Sequence, residues 1–133
     1  MYLLDADTLS FFVRRDPGVL ARIALTAPES LWVSTVTLME VELGLVQTPA
    51  VRAKVEKVLG LLLARARIAP FTELEARTTA RVRGSLASSG KPIGPYDVML
   101  AGTALTHALT VVSGNLREYR RVDGLVSEDW RAL

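Results

Sequence analysis

The chain has 133 residues, half of them apolar, with 16 Lys and Arg against 14 Asp and Glu, one histidine and no cysteine. That length suits one domain, residues 1–133, whose core needs no staple, and the lack of thiols excludes disulfides, thiolate zinc sites and cysteine nucleophiles. The formal charge of +2 and the pI near 9.3 give only a mild bias toward a nucleic-acid partner.

No apolar run reaches the ~20 residues of a membrane span. The opening Tyr2–Ser10 has no basic n-region or cleavage site, so a cytoplasmic protein is expected. Tyr2–Leu4 is a short apolar run closed by Asp5, the pattern of a buried parallel strand. Asp7 or Thr8 then caps a helix through Val13, which Asp16-Pro17-Gly18 breaks. Pro17 suits the first position of a second helix carrying Val19, Leu20, Ile23 and Ala24. Leu31–Val36, β-branched and aromatic, reads as a strand, with Thr37 capping a helix that holds Leu38, Met39, Val41 and Leu45. Thr48-Pro49 starts another helix, with Val51, Val55, Val58, Leu59, Leu62 and Leu63 at helical spacing.

Ala66–Pro70 is a short strand candidate, and Thr72–Ser88 an arginine-rich helix with caps at Thr72 and near Gly90. Ser89–Pro95 is a loop, Asp97–His107 a helix of small residues, and Leu109–Val112 a strand followed by the turn Ser113-Gly114-Asn115. The tail runs through a loop to a last edge strand near Leu125 and Val126, with Trp130 beyond. Helices alternating with short apolar strands argue for a three-layer α/β fold, its mostly parallel central sheet flanked by helices.

In open parallel sheets, ligands gather outside the carboxyl ends of the strands. Asp5 follows a strand directly, Glu40 lies early in the helix after another, Asp97 opens a helix, and Asn115 lies past a strand end. Each has an ordinary explanation alone: Asp5 and Asp97 as helix caps, Glu40 or its neighbour Glu42 as a solvated glutamate, Asn115 as turn chemistry. Together they are a set of oxygen donors without His or Cys, which selects Mg²⁺ or Mn²⁺ over zinc and points to phosphodiester hydrolysis. His107 ends its helix and reads as structural or dipole-neutralising. Arg77, Arg81 and Arg83, with Arg65 and Arg67, suit either a phosphate-binding rim or a solvated face. No glycine-rich phosphate loop is present, so an NTPase or dinucleotide enzyme is unsupported. A phospho-accepting receiver fails because no aspartate stands between Asp16 and Asp97.

The segments LLDADTLS, the VSTVTLMEVELG stretch with Glu40 and Gly44, IGPYDVMLAGTAL and VVSGNLREYRRVDGLVSEDW, in that order, resemble PIN-domain ribonuclease toxins of the VapC type over nearly the whole chain. The resemblance implies a PIN fold and an Mg²⁺- or Mn²⁺-dependent endoribonuclease cutting RNA through a metal-activated water. It also implies inhibition by a VapB-type antitoxin and a homodimer. By motif, Asp5, Glu40 and Asp97 take the core acidic positions, with Asp5 and Asp97 as metal ligands, and the fourth, often Asp, falls on Asn115. Asn115 adds no charge, so Glu118 or Asp7 is a candidate to complete the site. Exposed Leu and Val on the Val51–Leu63 helix suit an antitoxin or dimer groove. The alternative is an inactive PIN-fold RNA-binding or scaffold protein.

Overall fold

Successive residues of a strand point to opposite sheet faces, so a strand apolar at every position needs helices on both sides. β1 (Tyr2–Leu4) has this character, as do residues 31–33 of β2 (Leu31–Ser34) and 111–112 of β4 (Thr110–Val112). With β3 (Arg67–Ala69) and β5 (Ser127–Glu128) they form a wholly parallel five-stranded sheet in the order β3-β2-β1-β4-β5. The computed structural model describes residues 1–132. β1 pairs in register with β4, Leu4 opposite Val112, and with β2, Leu3 opposite Trp32.

Leu3 and Val111 face one layer, built by α5 (Glu73–Ser88) and α6 (Pro95–His107), with Leu86, Val98, Ala101 and Ala104 buried against them. Leu4 and Val112 face the other layer, where α1 (Ala6–Val13), α2 (Pro17–Leu25) and α4 (Arg52–Leu63) bury Leu9, Val19, Leu59 and Leu62. α3 (Thr35–Gln47) follows β2 and contributes to both sides through Val36, Leu38 and Val41. Small residues let α5 and α6 approach closely. A Cβ on Gly102 would lie 2.8 Å from the Thr79 Cα.

Several boundaries differ from expectation. Asp5, not Asp7 or Thr8, caps α1, its carboxylate accepting from the Thr8 N–H at 2.9 Å. β2 stops at Ser34, whose hydroxyl accepts from the Val36 N–H and starts α3 before Thr37. α6 begins at Pro95, because proline at the first helical position loses no hydrogen bond, so Asp97 lies inside the first turn. The supposed loop after Asn115 contains a short helix, α7 (Leu116–Tyr119). Among the described residues, no helix is long and apolar enough to cross a membrane.

Candidate active site

β1 is flanked by β2 on one side and β4 on the other, so the chain's order reverses around it, and the crevice beyond its carboxyl end is the topological switch point. Asp5 stands there. Its N–H donates to the Val112 carbonyl at 3.2 Å, and the Thr8 hydroxyl donates to the same carbonyl at 2.8 Å, locking the β1–α1 turn to β4. The Asp5 side chain is 4% exposed. Burial pushes it up to about 6, against the pull of the Ser113 hydroxyl and the Thr8 N–H.

Asp97, in the first turn of α6, accepts from the Tyr119 hydroxyl at 3.1 Å and from the Asn115 amide at 3.2 Å. The same Asn115 nitrogen donates to Glu118 at 2.6 Å, so one amide bridges two carboxyl groups. Burial, then the neighbouring Glu118, raises Asp97 above the usual carboxylate range, with Asp5 adding repulsion. Gly94 keeps this corner open. A Cβ there would lie 3.4 Å from an Asp97 oxygen and 3.8 Å from a Glu118 oxygen. Glu40, half-buried in the second turn of α3, is also raised, by burial first and then by Asp5 and Asp7. It therefore lies past the first turn, where the helix dipole would have favoured it.

The structure thus brings Asp5, Glu40, Asp97 and Asn115 to one edge of the sheet, and Glu118 joins them through Asn115. Asp7 is exposed in the first turn of α1, close enough to raise Asp5 and Glu40. Two further residues had no role assigned from sequence. Tyr119 is fully buried with its hydroxyl on Asp97, and Ser113, also fully buried, acts on Asp5 and accepts from the Asn115 N–H at 2.9 Å. Their only signal is position, Ser113 directly after β4 and Tyr119 one turn past Asn115.

The arginines divide. Arg65 lines a cavity with Leu31, the first residue of β2, at the amino edge of the sheet. Arg67 stacks on Trp32, and Arg77 pairs with Glu73. Arg65 and Arg67 therefore do not share a rim with Arg81 and Arg83; proximity in sequence does not carry across the sheet. His107 ends α6, bonding the buried Glu75 at 2.9 Å and packing on Trp32, which is the structural role expected.

Among the described residues, no three Asp, Glu or His side chains stand so as to enclose an ion as they are oriented. The donor chemistry nevertheless fits a hard dication. The donors are all oxygens, and the charged groups acting on each carboxylate most strongly are other carboxylates. Such a set is relieved by a cation.

The PIN domain family matches residues 2–125. The tRNA(fMet)-specific endonuclease VapC of Salmonella typhimurium is 33% identical over 129 residues, 97% of each chain. Ribonuclease VapC2 of Haemophilus influenzae is 29% identical over 130 residues, again 97% of each. Among solved structures, the DNA-bound VapBC of Salmonella typhimurium superposes with a TM-score of 0.87 at 34% identity, covering 97% of both chains.

Proposed function

The chain belongs to the PIN-domain family and is of the VapC type, and on that premise we propose that it is a divalent-metal-dependent endoribonuclease, the toxin of a toxin–antitoxin pair. The observation that carries this reading is the meeting of Asp5, Glu40 and Asp97 at the switch point, each raised first by burial and then by a neighbouring carboxylate: Asp7 for Asp5, Asp5 for Glu40, and Glu118 with Asp5 for Asp97. Carboxylates gathered and desolvated in one cleft are the arrangement in which functional sites concentrate.

Asp5 and Asp97 are the residues that would hold Mg²⁺ or Mn²⁺, with Glu40 beside them. When bound, the ion would supply Lewis-acid stabilisation of phosphorane charge and a more acidic water. The chain's own residues supply position and protons. Thr8 and Ser113 hold Asp5 in one orientation, and Tyr119 and Asn115 do the same for Asp97. Glu40, half-buried and raised, is suited to take a proton from an attacking water. Asn115 contributes no charge, and Glu118 restores the fourth carboxylate.

An antitoxin partner is supported by the similarity to a VapBC complex and by a groove of about 310 Å³ between α1, α3 and α4. Leu9, Val13, Val41, Leu45, Val55 and Leu59 line it, and Glu40 stands at its wall. An inhibitory segment seated there would lie against the site. A homodimer belongs to the same proposal, and light scattering on the purified toxin tests it.

The enzyme reading is tested with Asp5→Asn and Asp97→Asn. Cleavage of structured RNA in Mg²⁺ or Mn²⁺ should fall at least ~100-fold in each, with far-UV circular dichroism unchanged. Undiminished cleavage by both folded variants would refute the site.

A further inference from the structure

We infer that the cleft between α5 and the residues just after α7 is a binding track for the RNA backbone leading to the strand-edge carboxylates, an inference that rests on the ribonuclease reading. The cleft, about 200 Å³, has Leu86 and Val122 as its buried floor and Arg81, Ser85, Arg121 and Asp123 around them. Most other arginines near an acid are already paired: Arg22 with Glu128, Arg52 with Glu42 and Glu56, Arg77 with Glu73, Arg131 with Asp129. Among the described residues, Arg81 and Arg121 form no ion pair, even though Asp123 lines the same cleft. The cleft's own lining sets two guanidinium groups against one carboxylate; Glu118 also feels Arg121, but the exposed Arg117 and Arg120 on the adjoining turn keep this end of the molecule positive.

The cleft and the candidate site are two sides of one segment. Arg121 Nη1 donates to the Pro92 carbonyl at 2.9 Å, and Pro92 opens the run through Gly94 to Asp97. Glu118, which shares the Asn115 amide with Asp97, stands one turn before Arg121. Electrostatics requires such a neighbour. A polyanion is repelled by clustered carboxylates, and a chain of net charge +2 offers little overall attraction. Approach then depends on local cations beside the site, and guanidinium forks suit backbone phosphates. Asp123 is the one repulsive element in the cleft and sets its edge.

The test is binding, in EDTA so that metal-dependent cleavage cannot proceed, of an RNA of about 20 nucleotides, and of a tetranucleotide too short to span site and cleft, followed by anisotropy over a range of KCl concentrations. For the long RNA, Arg81→Ala/Arg121→Ala should weaken binding about tenfold and lower the log–log salt slope by roughly 1.5, leaving the tetranucleotide unaffected. Arg81→Lys/Arg121→Lys, which keeps both charges, should retain most of the slope. Lys54→Ala/Lys57→Ala, an equal loss of charge on α4, should change neither RNA. Wild-type affinity and slope in the alanine pair would overturn the inference. So would equal loss on both RNAs, which would mean that Arg121 acts only by holding the Pro92 loop, or an equal effect of the α4 control. The ribonuclease reading fails separately, if wild-type protein in Mg²⁺ leaves the long RNA uncut while these binding differences stand.

Discussion

Tyr119 shows how one buried side chain sets the chemistry of another. Its hydroxyl donates to Asp97 and stabilises the ionised carboxylate, against the burial and the Glu118 charge that raise it. The carboxylates in turn push the Tyr119 phenol well above its ordinary range, after burial itself, so it stays a donor at any working pH. Tyr119→Phe removes the donor and keeps the ring. Asp97 should then rise further, and the acid limb of the pH–rate profile should move to higher pH, because a ligand carboxylate must lose its proton to act. We expect cleavage at neutral pH to fall about tenfold, with a stability cost of about 1 kcal/mol for the lost hydrogen bond. An unmoved acid limb in the phenylalanine variant would remove Tyr119 from any role in setting Asp97.

The α5–α6 pair gives a test at the scale of elements. Three helical glycines, Gly44, Gly60 and Gly84, have open space where a Cβ would go, whereas at Gly102 it would meet Thr79 backbone. Gly84→Ala should therefore stabilise by up to about 1 kcal/mol through helix propensity, and Gly102→Ala should destabilise by about 1–3 kcal/mol by forcing the helices apart. Urea melts of both variants decide it, and equal shifts of one sign would mean the packing account is wrong. That close approach was legible as the small-residue stretch of α6, as were the starts of α2 and α5 in Asp16-Pro17 and Thr72. Other starts were not. Ser34 and Thr37 are both cap-forming residue types, and it is the Ser34 bond to the Val36 N–H that selects one. α7 spans four residues, too few for any periodicity to show. Asn115 and Glu118 were named from the sequence, but with α7 unseen the part of Tyr119 was hidden, as were the bonds that tie Asn115 and Tyr119 to Asp97 across 18 to 22 positions. Asp5 was legible because it follows a strand directly, Glu40 because it lies early in the helix after β2, and Asp97 because it stands at the start of a helix of small residues.

For the whole molecule, bringing strand ends together sets function against stability. The fold holds Asp5 at the centre of its sheet, 4% exposed, among other carboxylates. Its carboxyl is raised from 3.8 to about 6, so the stability it contributes is complete below pH 3.8 and is lost as pH rises through about 6. Near neutral pH the ionised group is a net cost of about 1–3 kcal/mol. Asp5→Asn removes that charge and keeps the α1 cap, because Asn caps as well as Asp. The variant should melt higher than wild type at pH 7 without divalent ions, by roughly 4 °C for each kcal/mol in a domain of this size. The difference should vanish below about pH 4, where the wild-type group is protonated. Saturating Mg²⁺ at about 100 times its dissociation constant should add roughly 2.7 kcal/mol to the wild type and far less to Asp5→Asn, closing or reversing the gap. Scanning calorimetry in EDTA and in Mg²⁺, at both pH values, separates these effects. A wild type that melts identically in EDTA and Mg²⁺, or an Asp5→Asn protein that melts lower at pH 7, would show that the clustered carboxylates are not a site under strain awaiting a cation.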